Sequence, residues 1–554
     1  MTVLAGFQPN SNPMGSQVLS ALVAMIPIIA MLVTLGGLRW RAHYAGLFSW
    51  SLACIAAVAA YKMPVAMVAA TSAQGFVYGI FPIVWILLTA IWMYQVTVIS
   101  GRFDDLRQTF FLISDDPRVL GILISFCFGG LLEALAGFGA PVAIVTVMLI
   151  AVGFSKMRAA ITALLANTVP VAFGAVGLPV LMAAKTANMD VLEIAPITGR
   201  ITAALCLVIP FLLLALMDGK KGLVECWPFG LVIGFTFGVT KWIVSSSALY
   251  NLTEIFAAVV SVGVAIAFTR VWHPKGSSEA VPRVGRPVVP SLEGEYVPAP
   301  VEAKEALTGN RIFMAVVPYI LVIAVFGIAN LAPVAAAAKS TDIKIPWPGL
   351  SGQLMDSAGK AASHQNYTFA WASTPGLLLA IVAILVAVIY KVSMKDLFVE
   401  LWNNVKKMKF TMLTIGSVVA LAYVMGDSGQ TLALGMWIAG AGAIYPFLAP
   451  ILGWIGVYVT GSDTSANILF SGLQAGVGDQ IGHKALLVGS NAAGGVVGKM
   501  ISPQSLAIAS TAMGLAGAES AILRKVIAWS FVLLALLCVI SGLMSTPVLA
   551  WVLP

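Results

Sequence analysis

The chemistry open to this chain rests on a few polar side chains set in long apolar runs. Glu133 lies in Gly129-Gly130-Leu131-Leu132-Glu133-Ala134-Leu135-Ala136-Gly137-Phe138-Gly139-Ala140-Pro141, and no other charge falls between Arg118 and Lys156. An ionised carboxylate in hydrocarbon costs about 3 kcal/mol on insertion scales and more in simulations. The flanking Gly and Pro argue against an unbroken helix. Such an acid can load and release a proton, or it can be bonded structurally to backbone; acids inside membranes are functional by default.

A matching polar run is Gly461-Ser462-Asp463-Thr464-Ser465-Ala466-Asn467, with five polar side chains in seven residues between apolar flanks. That is too polar for a helix facing lipid, so the backbone should open to a cavity. Asp463 can act as a second proton or orientation site, or simply cap the next helix. A helix resuming at Thr464–Asn467 points its positive end at the tip, where small anions bind. Asn167-Thr168 precede Pro170, which frees backbone carbonyls. Asn491 with Gly494 and Gly495 reads the same way, although small residues also serve close helix packing. Lys499, followed by Met500-Ile501-Ser502-Pro503-Gln504-Ser505, is the only Lys within Leu486–Met513. It can pair with a substrate carboxylate, with Asp463 or with Glu133, or snorkel to the interface. The candidate proton-coupling acids are thus Glu133 and Asp463. The candidate binding set is Gly137, Phe138, Gly139, Asn167, Thr168, Ser462, Thr464, Ser465, Asn467, Asn491, Lys499 and Gln504.

The elements that hold these residues follow from composition. Of 554 residues 60% are hydrophobic and 10% charged, with mean hydropathy +0.96; ordinary soluble domains carry about 25% charged residues. The chain reads as an all-α polytopic membrane protein, because lipid leaves unpaired backbone groups no other partner. The expected architecture is about 12 transmembrane helices plus two re-entrant hairpins in an inverted repeat. Full crossings are expected near 17–37, 44–61, 77–99, 159–182, 201–217, 226–244, 253–270, 312–330, 374–390, 410–426, 484–510 and 526–550, with hairpins near 119–153 and 449–475. Lys and Arg then fall on one side, after the first, third, fifth, seventh and ninth spans. That side is cytoplasmic, and both termini lie outside. Residues 1–271 and 311–554 form the two halves, joined by a cytoplasmic linker, 272–310, rich in Pro, Val, Glu and Ser and expected to be disordered or loosely packed. The stretch 331–372 reads as a long external loop with His364, Tyr367 and Trp371, and 101–117 and 393–409 as helices along the cytoplasmic interface.

Several classes are excluded. The net charge of +8 is dispersed between spans, which argues against nucleic-acid binding. The five cysteines are scattered and make no CxxC, and neither GxxxxGK[ST] nor HExxH occurs. His43, His273, His364 and His483 fall outside the expected spans. No cofactor, metal or catalytic set is expected, so transport would draw on a gradient or be passive.

The runs FCFGGLLEALAGFGAPVAI (126–144), ANTVPVAFGAVGLPVL (166–181), GWIGVYVTGSDTSANILFSGLQA (453–475) and SNAAGGVVGKMISPQSLAIA (490–509) closely resemble the bacterial L-lactate permease family, as do YKMPVA (61–66) and FVYGIFPIVWI (76–86). The resemblance covers about 15–550. It implies uptake of L-lactate, and often D-lactate and glycolate, with protons across a bacterial inner membrane. The hairpins and Asn-Thr elements also look like those of larger anion-transporter families with two inverted hairpins. Gluconate, a C4-dicarboxylate or a passive anion channel stand as alternatives, and a homo-oligomer is left open.

Overall fold

Helices dominate the computed structural model, which describes residues 6–34, 38, 40–137, 139–293, 307–329, 331–356, 359, 361–362, 365–515 and 518–554. Among the described residues nine helices are long and apolar enough to cross a membrane, or ten if Lys156–Ala166 and Val171–Thr186, bent by 62°, count as one span. Gln17–Met31 and Pro375–Ile389 are shorter apolar helices at two of the other expected crossings.

The first hairpin rises through consecutive helical segments Pro117–Ile122, Leu123–Phe128 and Gly129–Ala136, turns at Gly137–Gly139, and descends as Ala140–Val152. Gly137 (φ 14°, ψ −149°) ends the rising arm, and Gly139 (φ 87°) begins the descent in the left-handed region that an L side chain seldom enters. Both roots meet one stretch of chain: Arg118 Nη2 donates to the Lys275 carbonyl at 2.7 Å, and Ser155 N donates to the Val284 carbonyl at 3.1 Å. The hairpin therefore returns to the side it came from.

The second hairpin, Tyr445–Thr460 and Asp463–Ile481, turns at Gly461 (φ 71°) and Ser462. Tyr445 Oη donates to Gln474 Oε1 at 3.0 Å near its root. Gly476 lies against Gly435 of helix Gln430–Ile438, so this hairpin also returns to its own side. Helix Lys484–Gly498 is clamped on it. Cβ atoms at Gly494 and Gly498 would sit 2.0 and 2.4 Å from the carbonyl oxygens of Pro450 and Trp454. Lipid gives no hydrophobic drive between helices, and small residues let backbones approach until dispersion holds them; much of the glycine in this half serves that purpose.

Besides 77–99, which is interrupted at Phe81 (φ −133°, ψ 122°), two expected spans are broken. The first runs Lys156–Ala166, a turn, Val171–Phe173 and then Gly174–Thr186, with Ala175, Val176 and Gly177 all at positive φ (44°, 58° and 73°). A β-branched residue in that region is an outlier, and such strain persists only where the surroundings over-determine it. The second runs Lys484–Gly498, Lys499–Ile501 and Pro503–Ala512. Its break lies at Lys499–Ser502, whereas Asn491 sits inside regular helix.

Three expectations are corrected. The first part of the linker is ordered, with helices Ser277–Val284 and Pro290–Glu293. Charge and buried Ala280 and Val284 together dock it. Arg118, fully buried, pairs with Asp116 (2.8 Å), Asp218 (3.1 Å) and Glu225, and Arg283 of the linker pairs with Asp218 at 2.6 Å. Residues 294–306 lie outside the described residues. The segment 393–409 is not a separate interfacial helix but the start of a 35-residue helix, Met394–Ser428. The stretch 331–372 contains a helix, Ala332–Ser340, and a two-stranded antiparallel ribbon, Ile343–Pro346 with Asn366–Phe369; Tyr367 is buried there and donates to the Phe81 carbonyl at 2.9 Å. His364 lies outside the described residues.

Candidate functional site

The breaks and hairpin tips converge. Glu133, one turn below the first tip, is 3% exposed. Its Oε2 accepts from Asn167 Nδ2 at 2.9 Å, and its Oε1 accepts from Lys499 Nζ at 2.5 Å. Asn167 comes from the break of the first half and Lys499 from that of the second. Gly174 makes room: a Cβ there would lie 3.0 Å from Glu133 Oε1. The open question for Lys499 is thus answered by geometry. It does not snorkel but neutralises Glu133.

Asp463 opens the return arm of the second hairpin. It is 3% exposed, and neither of its carboxylate oxygens has a hydrogen-bond partner. The charges acting on it are Lys499 and Glu133. Gly495 faces it so closely that a Cβ would sit 2.1 Å from Asp463 Oδ1. Capping of the return arm falls to Ser462, whose Oγ accepts from Ser465 N at 3.3 Å. Asp463 is therefore not tied up as the cap.

One and two turns further along the same helix, Asn467 Nδ2 and Ser471 Oγ are also buried and unpartnered. Thr464 and Ser465 are buried in the first turn. Asn491 Nδ2 donates to Asn467 Oδ1 at 2.9 Å, while its own Oδ1 accepts from Gln474 Nε2 at 3.2 Å. Both ends of the Asn491 amide are thus committed to clamping helices. Thr168 is likewise committed, its Oγ1 donating to the Leu165 carbonyl at 2.7 Å. Neither is a free donor in this conformation, contrary to expectation. Phe138 lies outside the described residues.

Helix Pro503–Ala512 spans the two tips. A Cβ on Gly461 would lie 2.4 Å from Gln504 Oε1, and one on Gly139 would lie 2.1 Å from Ile508 Cδ1. Gln504 and Ile508 are four residues apart and share a helix face. Gln504 itself is exposed, not enclosed.

Sequence reasoning missed Lys241 and Glu254. Both are fully buried and paired at 2.5 Å, with Lys241 Nζ also donating to the Val169 carbonyl at 2.6 Å. Each stands near the end of an expected span, where a charge reads as interfacial; only the turn at Ser246–Leu252 brings them together. Gln474 and Tyr445 were missed because a single Gln or Tyr in an apolar helix carries no signal.

Broken helices that carry buried charges to the tips of two hairpins, inside a polytopic helical membrane protein, mark a protein of the transporter class. Among the described residues no group of His, Cys, Asp and Glu is placed to hold a metal ion. The L-lactate permease family model matches residues 20–548, and the chain belongs to that family. Glycolate permease GlcA of Escherichia coli (strain K12) is 39% identical, covering 96% of this chain and 97% of its own. The L-lactate permease of Bacillus subtilis (strain 168) is 36% identical, covering 98% of each chain. That of Escherichia coli (strain K12) is 35% identical over 99% of this chain and 100% of its own. Among solved structures, the YdaH transporter of Alcanivorax borkumensis aligns over 76% of this chain and 87% of its own at 13% identity, with a TM-score of 0.32.

Proposed function

We propose that this protein carries L-lactate, together with the related 2-hydroxy monocarboxylates D-lactate and glycolate, across a bacterial inner membrane in symport with protons. Family membership and the full-length similarity to permeases named for lactate and for glycolate support the substrate class.

The observation that carries the coupling is the contrast between two buried acids. Glu133 has a cation and an amide donor, so it is a fixed counter-charge. Asp463 has no donor at either oxygen, and a buried ionised carboxylate without donors is costly. Glu133, Asp463 and Lys499 together leave one uncompensated negative charge, and one proton on Asp463 removes it. Asp463 is therefore the transported-proton site and Glu133 the element that holds Lys499 in place. Substrate would lie between the tips. There the return arm capped by Ser462 and the helix capped by Ser502 aim positive helix ends at a carboxylate, and Asn467 Nδ2 and Gln504 offer donors for the hydroxyl.

The alternating-access frame would be the inverted repeat, residues 1–271 against 311–554, with the linker between and both termini outside. Roots of the first hairpin gather on 275–284 and roots of the second beside Gln430–Ile438. Helix Met394–Ser428 runs from Leu397, which accepts from Trp92 Nε1, to Ser428 beside Gln430, a rise of about 45 Å at 1.5 Å per residue. That length fits hairpins entering from opposite faces, as inverted-repeat carriers do.

The test is uptake of labelled lactate into vesicles under an imposed pH gradient, competed with glycolate, pyruvate and gluconate. Accumulation that follows the gradient and yields to glycolate supports the reading. Uptake indifferent to the pH gradient removes the coupling, and lack of trans-stimulation in counterflow makes the protein a channel.

A further inference from the structure

Two buried ion pairs flank the break in the first half. On one side Glu133 and Lys499 hold Asn167 through its amide; on the other Lys241 and Glu254 hold Val169, two residues on, through its carbonyl. Lys241 also lies over the ring of Phe173, its Nζ 5.4 Å from the centroid, so one ammonium grips both ends of the turn. Helix Thr253–Thr269, which begins next to Glu254, packs on Gly129–Ala136, the helix of Glu133, and the two carboxylates act on each other electrostatically. The second oxygen of Glu254 has no partner, so the pair is not a closed structural knot.

We propose that Lys241 and Glu254 are positioning residues of the transport site: by anchoring the Val169 carbonyl they keep the helix unwound and deliver Asn167 to Glu133. A turn that exposes carbonyls in the membrane interior needs a replacement donor. Lys241 supplies it, and Glu254 makes a buried ammonium tolerable. At the other break the freed carbonyl is that of Lys499, and Ser502 Oγ supplies the donor at 3.0 Å. The inference rests on the transport reading of the site.

The experiment uses the full-length protein in proteoliposomes. Removing one partner strands a charge, whereas replacing both with apolar residues of similar size is often neutral for folding. The double variant Lys241→Met/Glu254→Leu should therefore insert, with its thermal stability lowered only by loss of the bond to the Val169 carbonyl. It should lose about 10- to 100-fold in lactate uptake, the cost of misplacing a reacting group by about 1 Å. Its uptake–pH profile should shift in the same direction as that of Asn167→Ala. Lys241→Arg keeps the charge and the pair but moves the donor atoms, so it should show a smaller shift in the same direction. It decides the matter if the double variant does not insert. Wild-type pH profiles in the variants that insert overturn the proposal, because a purely structural pair leaves the profile alone. Wild-type protein that carries no lactate sinks the transport reading instead.

Discussion

Lys499 Nζ donates to Glu133 Oε1 at 2.5 Å across 366 positions of chain, joining the hairpin of one half to the helix break of the other. Both side chains are almost fully buried. Stranding either charge in a site of this kind costs about 3–5 kcal/mol. Glu133→Gln and Lys499→Met should each lower thermal stability in detergent by that order, and the double variant should recover most of it without recovering lactate uptake. If each single variant melts as the wild type does, the pair is not holding the halves together.

Asp463→Asn keeps size and removes the ionisable group. It should abolish accumulation driven by a pH gradient while lactate–lactate counterflow persists at a comparable rate, since exchange needs no net proton movement. Concentrative uptake by Asp463→Asn would move the proton site elsewhere, with Glu133 the next acid to test.

Gly495→Ala adds one methyl where 2.1 Å separates the new Cβ from Asp463 Oδ1 and 2.8 Å from Val457 Cγ2. Gly495 lies within a regular helix, so backbone strain does not enter. Overpacking of this sort costs about 1–3 kcal/mol. Uptake should fall at least tenfold, by displacement of the acid, with the protein still inserted. Uptake within a factor of two of wild type would show that Asp463 has room to move.

At the root of the first hairpin, burial pushes the Asp116 carboxyl up, but bonds from Arg118 and Ser277 pull it down further, and it ends below its ordinary value. A depressed carboxyl contributes stability above its unfolded value of about 4, and that contribution is lost as pH falls through the lower folded value. Asp116→Asn should therefore melt below wild type by a steady margin over neutral pH, with the two converging only below about pH 4. A margin already shrinking near pH 6 would assign the titration to another group.

How legible these groups were depended on their neighbours along the chain. Glu133, Asp463 and Lys499 were visible because each is a lone charge in a long apolar run, and hydrocarbon makes such a charge expensive wherever it points. Asn167 was visible through Pro170. Partners were not visible: Lys499 could have met either acid, and only the fold chose Glu133. Asn491 looked like Asn167 by its glycines, but Gly494 admits the Pro450 backbone and Gly495 makes room for the Asp463 carboxylate and Val457. Lys241 and Glu254 stayed hidden because a charge near the end of an apolar run is cheap if it reaches water, and nothing local says that it does not. The linker misled for the opposite reason. Its Pro and Glu content suggests loose packing, yet Val284 is buried, Arg283 finds Asp218 and Arg118 finds Lys275, contacts written in distant parts of the chain.

Helix Pro503–Ala512 touches Gly461 through Gln504 and Gly139 through Ile508. Those two contacts sit one helical turn apart on a rigid rod of ten residues. On the transport reading proposed above, a rod so placed would act as a rocker: a tilt that presses it toward one tip would draw it back from the other. Opening toward one compartment would then be tied to closing toward the opposite one, and a leak would require the rod to bend.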